Sequence, residues 1–167
     1  MAKKSKGGPA GGGTPATVAL DRAGVAYTLG TYTHDPAVTD YGAEAAAALG
    51  VEPDRVFKTL LASVDGTLVV GVVPVTGMLD LKALARAVGG KRAEMAAVAL
   101  AERRTGYVAG GISPFGQKTH HATVVDESAL AWETVFVSGG RRGLDIEIAP
   151  ADLVTMTEAK VAPIARA

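Results

Sequence analysis

Two apolar runs joined by a tight turn constrain the fold of this chain more than any other feature. The first run spans residues 55–64, the second spans residues 67–75, and apolar residues dominate both. Asp65-Gly66 lies between them and favours a two-residue hairpin turn, whose backbone requires positive φ. We therefore predict two antiparallel strands that are buried at the centre of a sheet.

Helix-capping residues divide the rest of the chain. Thr14-Pro15 is an N-cap followed by proline at the first helical position, and Gly24 ends the helix predicted over residues 15–23. The same signals predict a helix from Asp40 through Ala48 closed by Gly50, a helix from Asp80 to Gly89-Gly90, an alanine-rich helix over about 95–104 and a last helix starting at Pro150-Ala151-Asp152.

Further strands are predicted at residues 26–33, 123–125, 134–137 and 144–148. Strands interrupted by helices without a regular βαβ alternation are typical of an α+β domain. We expect a single domain over residues 14–167, with a mixed, mostly antiparallel sheet that curls toward a barrel and is flanked by helices. Residues 1–13 contain no apolar segment and are expected to form a disordered tail rather than a secretory signal.

The composition excludes several classes of protein. No apolar run approaches the roughly 18 residues that cross a bilayer, so we expect a soluble protein without a membrane partner. The chain has no cysteine, which excludes disulfides, thiolate metal sites and a cysteine nucleophile and fits a reducing cytoplasm.

The net charge of zero conceals an uneven distribution. Residues 14–81 hold three Lys or Arg against eight Asp or Glu, whereas residues 82–142 hold nine against five. A basic region of this kind attracts phosphates if its side chains share one surface, and is otherwise a set of solvated helix faces.

Two glycine-rich stretches lie within the basic region. The first spans residues 106–118 and includes Gly110-Gly111-Ile112-Ser113-Pro114, and the second is Ser138-Gly139-Gly140 followed by two arginines and Gly143. Each alone is an ordinary turn signal. Together they suggest a shared wall whose backbone N–H groups receive an anionic or carbonyl-bearing ligand.

Two charged residues interrupt apolar strands. Lys58 lies in the first apolar run, where burial without a partner is costly, so its ammonium must reach water, a partner or a ligand. An edge position or a snorkelling side chain is the alternative. Asp145 shares a strand face with Glu147, opposite Ile146 and Ile148, as in any half-exposed strand.

The common catalytic motifs are missing. His120 and His121 are adjacent and His34 is distant in sequence, so we expect no metal site. The chain contains no Gly-x-Ser-x-Gly elbow, phosphate-binding loop or dinucleotide fingerprint, and no cofactor is expected. A site built from backbone donors and one lysine would orient a substrate and stabilise charge.

The blocks VFKTLL, TGYVAGGISPFGQK and VSGGRRGLDIEIAPADL, in this order, resemble the YbaK family of aminoacyl-tRNA deacylases, and specifically its Cys-tRNA(Pro) deacylases. The segments HDP at 34–36 and YGAEAA at 41–46 also fit, and the resemblance runs from Thr14 to Arg166.

The resemblance implies a YbaK-type fold and a trans-editing enzyme that removes cysteine from mischarged tRNA(Pro). It implies two partners, the acceptor end of aminoacylated tRNA(Pro) and prolyl-tRNA synthetase in a transient complex. In the mechanism it implies, the thiol of the substrate attacks its own ester. The residues it places at the site are Lys58 and Asp145 as catalytic residues and Tyr32, Tyr41, Gly110, Gly111, Ile112, Ser113, Pro114, Ser138, Gly139 and Gly140 as substrate-binding residues.

Two alternatives remain open from the sequence. Related domains that hydrolyse Ala-tRNA(Pro) have a similar lysine, so the chain could act on alanine or more broadly. A module that binds tRNA or a synthetase without catalysis is the other alternative, and hydrolysis by the purified chain distinguishes it from an enzyme.

Overall fold

The computed structural model describes residues 13–167 and the backbone of residues 3–6. Its helices are α1 (Pro15–Ala23), α2 (Tyr41–Leu49), α3 (Leu81–Ala87), α4 (Val98–Thr105) and α5 (Pro150–Thr157). Its strands are β1 (Lys3–Lys6), β2 (Thr28–Thr31), β3 (Phe57–Val64), β4 (Thr67–Pro74), β5 (Met78–Leu79), β6 (Ala93–Met95), β7 (Ala122–Asp126), β8 (Val135–Arg141), β9 (Leu144–Ile148), β10 (Lys160–Ala162) and β11 (Ala165–Arg166).

The predicted central hairpin is confirmed. Strands β3 and β4 pair antiparallel from Phe57 opposite Pro74 to Val64 opposite Thr67. Asp65 and Gly66 both have positive φ, +49° and +86°, as a two-residue hairpin turn requires. The Asp65 carboxylate also accepts hydrogen bonds from the backbone N–H groups of residues 91 and 92, which fixes the following segment beside the turn.

The strands form two main sheets. One has the order β1-β2-β9-β8 and is antiparallel throughout, whereas the other has the order β10-β7-β4-β3-β6 and contains two parallel pairs, β4 with β7 and β7 with β10. A third, two-stranded sheet pairs β11 with β5. The α+β class and the mostly antiparallel pairing are therefore confirmed.

No closed barrel is found among the described residues, so the expected curling of the sheet toward a barrel stays a prediction. A single parallel bridge between Val56 and Phe136 links the two main sheets, and their strand pairing does not close. The physical reason is that both sheets bury an apolar face against the other. Leu29, Val137 and Ile146 from one sheet share a core with Leu61, Val70 and Val72 from the other.

The helix boundaries follow the capping residues. Thr14 and Thr17 form a reciprocal capping box at α1, and Asp40 and Asp80 accept hydrogen bonds from backbone N–H groups at the starts of α2 and α3. The predicted helix over about 95–104 instead begins at Val98, because Ala93–Met95 forms β6 and pairs with the end of β3.

Helix α2 covers the outer face of the four-stranded sheet. Ala45, Ala46 and Leu49 pack with Val56 and Phe136 in a separate apolar cluster. Glycine at position 30 allows this approach, since a Cβ there would lie 2.6 Å from the Leu49 side chain. The packing fixes the N-terminal end of α2 next to the start of β3.

The N-terminal segment differs from the predicted disordered tail where it is described. Residues 3–6 form β1 and pair antiparallel with Thr28–Thr31. Strand β2 would otherwise be an edge strand, whose free backbone groups accept a further strand readily. The rest of the predicted tail before Gly13 lies outside the described residues.

No helix among the described residues is long and apolar enough to span a membrane.

Candidate functional site

A pocket of about 280 Å³ lies between the start of α2, the first half of β3 and the two glycine-rich loops. It is lined by seven of the residues predicted for the site: Tyr32, Tyr41, Lys58, Gly110, Ile112, Ser138 and Asp145. The structure therefore brings together residues from four separate parts of the sequence, 32–41, 58, 110–112 and 138–145. The other predicted residues, Gly111, Ser113, Pro114, Gly139 and Gly140, lie outside the pocket lining.

The two glycine-rich loops contact each other through their backbones. A Cβ on Gly111 would lie 2.8 Å from the Cα of Arg141, so only glycine permits this approach. Gly140 has φ +110°, and a Cβ there would lie 2.9 Å from the Thr14 side chain. The two loops therefore pack side by side, Gly111 against the backbone of Arg141 and Gly140 against Thr14, and their role as a wall that receives a ligand stays a prediction.

Ser113 supports the loop from inside the protein. Its side chain is fully buried, and its hydroxyl accepts a hydrogen bond from the Phe115 N–H at 3.3 Å. Its carbonyl accepts one from the Gln117 amide at 3.0 Å, and Gln117 in turn contacts the His121 ring. Among the described contacts, Ser113 therefore orders the loop rather than pointing to the pocket.

Lys58 lies in β3 opposite Val73 and is half-buried at the pocket. Strand β6 pairs only with residues 62–64 of β3, so among the described strands the other side of β3 is unpaired at Lys58. The Lys58 ammonium makes no hydrogen bond or ion pair with a described residue. This lysine is consequently available to a ligand that enters the pocket.

Asp145 is almost completely buried, with 6% of its surface exposed, so it does not lie on a half-exposed strand face. It is aligned between Gly30 on β2 and Ser138 on β8. Burial raises the pKa of the Asp145 carboxyl to about 7. A carboxyl group with this pKa can accept or donate a proton near neutral pH.

Tyr32 lies beside Asp145 in the pocket lining. Burial raises the pKa of the Tyr32 hydroxyl, and the carboxyl groups of Asp145 and Glu44 raise it further. The tyrosine therefore stays neutral and keeps its hydroxyl proton as a donor.

Tyr41 forms the outer edge of the pocket. Gly110, at φ +82°, approaches its ring so closely that a Cβ would lie 2.7 Å from a ring carbon. The Arg142 guanidinium carbon lies 4.8 Å from the ring centre, and the His34 ring lies 5.6 Å away. The His34 Nδ1 lies 2.6 Å from the Glu44 Oε1, and this hydrogen bond connects the HDP segment to α2.

Sequence reasoning missed part of the lining. The additional residues are Thr39, Asp40, Gly42, Ala45, Val56, Phe57, Thr59, Leu60 and Val75. Thr59 could have been predicted, because a hydroxyl group in an apolar strand, like the Lys58 ammonium, must reach water, a partner or a ligand. Its Oγ1 is buried and has no hydrogen-bond partner among the described residues. Ala45 and Val75 carried no such signal because their type is common throughout the core.

The pocket lining contains neither histidine nor cysteine. Among the residues that the structure describes, no group of three or more His, Cys, Asp or Glu is placed to hold a metal ion. The lining offers a cation, a protonatable carboxyl group, hydroxyls and loop backbone. This set can orient an ester, stabilise negative charge on its carbonyl oxygen and transfer a proton.

Comparison with known sequences agrees with this chemistry. The sequence model of the aminoacyl-tRNA editing domain matches residues 35–156. A protein of Enterococcus faecalis provisionally named Cys-tRNA(Pro)/Cys-tRNA(Cys) deacylase EbsC is 42% identical over 120 residues, covering 71% of this chain and 73% of that protein. A proline–tRNA ligase of Maridesulfovibrio salexigens is 35% identical over 95 residues, which are 57% of this chain and 16% of the ligase.

Solved structures have the same fold. A structure described provisionally as a trans-editing enzyme for prolyl-tRNA synthetase superposes with a TM-score of 0.78 at 27% identity, covering 92% of this chain and 96% of that one. A hypothetical protein superposes with a TM-score of 0.82 at 28% identity, covering 91% and 99% of the two chains.

Proposed function

Because the chain belongs to the aminoacyl-tRNA editing domain family, we propose that it is a trans-editing deacylase that removes cysteine from mischarged Cys-tRNA(Pro). The observation that carries the proposal is the pocket that joins Lys58 and Asp145 without a histidine or cysteine in its lining. Its volume, about 280 Å³, is at the low end for ligand sites and suits a small aminoacyl ester.

In the proposed reaction the substrate supplies the nucleophile. The cysteine sulphur bonds to the carbonyl carbon of its own ester, and the bond from that carbon to the ribose oxygen breaks. The thiol proton ends on the released ribose hydroxyl, and the product is a cyclic thiolactone that water opens to cysteine. Holding the thiol at near-attack distance can lower the barrier by roughly 7–11 kcal/mol.

The protein groups have separate roles in this scheme. Asp145, with its pKa near 7, accepts the thiol proton and returns it to the ribose oxygen. The Lys58 ammonium stabilises the negative charge that develops on the carbonyl oxygen. Tyr32, Tyr41, Ser138 and the loop at Gly110–Pro114 hold the ester and the terminal nucleoside.

Prolyl-tRNA synthetase is the proposed partner. Support comes from the similarity to a segment of a proline–tRNA ligase and from a solved structure of the same fold, which is described provisionally as a trans-editing enzyme for prolyl-tRNA synthetase. A chain with zero net charge is expected to bind tRNA weakly alone. A transient complex with the synthetase would raise the local concentration of mischarged tRNA.

A deacylation panel tests the proposed function. Purified protein is mixed with Cys-tRNA(Pro), Cys-tRNA(Cys), Ala-tRNA(Pro), Ser-tRNA(Pro) and Pro-tRNA(Pro), with and without prolyl-tRNA synthetase. We expect rapid loss of cysteine from tRNA(Pro), faster with synthetase, and slow loss of the other amino acids. If Ala-tRNA(Pro) were hydrolysed fastest, alanine would be the amino acid that the enzyme removes. If no substrate were hydrolysed, the chain would be a module that binds tRNA or a synthetase without catalysis.

A further inference from the structure

Arg142 stands at the mouth of the pocket on the hairpin turn between β8 and β9. Its Nε donates a hydrogen bond to the Ala109 carbonyl at 2.8 Å, and its guanidinium carbon lies 4.8 Å from the centre of the Tyr41 ring. Tyr41 lines the pocket, and Ala109 directly precedes Gly110 in the pocket wall. Arg142 is therefore held where the Tyr41 ring and the turn at Gly110 meet, although it is exposed to solvent.

The two contacts leave most of the guanidinium free. An arginine has five N–H donors, and the Nε contact uses one of them. The terminal nitrogens of Arg142 make no ion pair or hydrogen bond with a described residue. The nearby Glu102 carboxylate instead accepts a hydrogen bond from the Ala109 N–H at 2.8 Å. An ordered guanidinium with free paired donors has the geometry that binds phosphate oxygens in a bidentate manner.

The loop next to Arg142 presents backbone rather than side chains at the pocket. The space beside Gly110, which has φ +82°, is filled by the Tyr41 ring, and the space beside Gly111 is filled by the backbone of Arg141. An ester held at Lys58 and Asp145 belongs to the terminal nucleotide, so the phosphate that joins this nucleotide to the preceding one must cross the mouth. Arg142 is the cation fixed at that position.

We propose that Arg142 binds a phosphate of the single-stranded acceptor end of tRNA and so sets the depth at which the aminoacyl ester enters the pocket. The inference rests on the proposed function, because it takes aminoacyl-tRNA as the ligand. Arg142 is a binding and positioning residue, and it does not touch the reacting atoms. A different role, in which Arg142 only shields the Tyr41 ring from water, predicts no change in salt dependence.

The test measures binding of an uncharged minihelix that ends in CCA by fluorescence anisotropy, in a series of salt concentrations. The variants are Arg142→Gln, which removes the charge, and Arg142→Lys, which keeps the charge but lacks the paired N–H donors of the guanidinium. Arg86→Gln is the matched control, since Arg86 is an exposed arginine on α3 outside the pocket lining. Circular dichroism of each variant checks the fold.

We expect Arg142→Gln to weaken binding about tenfold, as loss of a charged hydrogen bond does. The slope of log affinity against log salt should become shallower by roughly 0.7–0.9, equivalent to one phosphate contact. Arg142→Lys should restore the slope and part of the affinity, and Arg86→Gln should leave the slope at its wild-type value.

An unchanged slope in Arg142→Gln, an equal change in Arg86→Gln, or wild-type protein that does not bind the minihelix would each overturn the inference. These results are independent of hydrolysis. If the wild type deacylates Cys-tRNA(Pro) but Arg142→Gln keeps its slope, the phosphate site alone is wrong. If the slope changes as expected but no ester is hydrolysed, the proposed deacylase function alone is wrong.

Discussion

Lys58 and Asp145 enter the same pocket from different sheets, and neither side chain makes a hydrogen bond or ion pair with a described residue. Charged or protonatable groups without partners destabilise a fold when they are buried. This cost falls on Asp145, which is buried, whereas Lys58 is half-buried and faces the pocket, and both arrangements are understandable if the two groups are kept for a ligand. Variants at these two positions should therefore affect activity and stability in different ways.

Lys58→Ala should fold normally and lose most deacylase activity. The ammonium makes no ion pair with a described residue, so the free energy of unfolding should change by less than about 0.5 kcal/mol. Loss of a donor to the developing oxyanion typically lowers turnover by about 100- to 1000-fold. Lys82→Ala, at an exposed lysine on α3, is the control. Wild-type turnover of Cys-tRNA(Pro) by Lys58→Ala would make Lys58 a structural residue.

Asp145 should make stability and activity depend on pH in opposite directions. Its folded-state pKa, about 7, lies above the ~3.9 of an unfolded aspartate. Between these values the native state keeps a proton that the unfolded state has released, so the free energy of unfolding falls as pH rises from ~4 to ~7. Over the same range kcat/KM should rise, because the carboxylate is the proton acceptor.

Asp145→Asn is the matched variant for this prediction. Urea unfolding at several pH values should give a stability curve that lacks the Asp145 contribution, so the variant gains stability relative to wild type as pH rises toward 7. Its kcat/KM should be low and should lack the step near pH 7. A constant stability difference between the two proteins across this range would show that Asp145 is not protonated in the folded state.

At the scale of elements, the turn at residues 108–111 sets the shape of the pocket wall. Gly111 N donates to the Val108 carbonyl at 2.8 Å, and Gly110 within the turn has φ +82°. Both the positive φ and the contact with the Tyr41 ring require glycine at position 110. This turn therefore couples backbone geometry to the position of a pocket aromatic residue.

Gly110→Ala should damage the site more than a glycine substitution of equal backbone strain elsewhere. Gly66→Ala is the control, since Gly66 has φ +86° but open space around its Cα. Both variants should lose about 1–2 kcal/mol of stability from the left-handed backbone. Only Gly110→Ala should also raise KM, because the new methyl displaces Tyr41. Equal KM values in the two variants would contradict the assigned role of the turn.

Local chemistry made the helices and the central hairpin predictable. Thr14, Asp40, Asp80 and Gly66 act through groups a few residues away, so their effect can be read along the chain. Sheet membership depends on which apolar faces meet across space, and strand patterns alone do not specify this. That is why the division of the strands into two main sheets could not be predicted from the strand patterns.

The same distinction applies to the candidate site. Lys58 and Asp145 were predictable because each is a charged residue in an apolar strand. The burial of Asp145 was not predictable, since its alternating pattern also fits a half-exposed strand. Residues such as Val75 reach the pocket only through packing, in this case against Gly42, where a Cβ would lie 2.3 Å from the Val75 side chain.

At the scale of the whole molecule, the two main sheets and α2 gather residues from distant parts of the chain around one pocket. Backbone hydrogen bonds join Arg104 to residue 119 and Thr105 to Lys118, and Arg142 is bonded to Ala109 in the same loop. The remaining basic residues are Lys82 and Arg86 on α3, Lys91 and Arg92 just before β6, Arg103 on α4 and Arg141 at the end of β8. Of these basic residues, Arg142 contacts the pocket lining through the Tyr41 ring.

The central claim is that the pocket orients a substrate whose own thiol attacks the ester. Mass spectrometry of the first product formed from Cys-tRNA(Pro), quenched early in water labelled with heavy oxygen, tests it most directly. The account predicts a cyclic thiolactone that precedes free cysteine, and little reaction with Ala-tRNA(Pro), whose methyl group cannot attack. Free cysteine formed without the thiolactone, with Ala-tRNA(Pro) hydrolysed at the same rate, would contradict the claim in favour of attack by water.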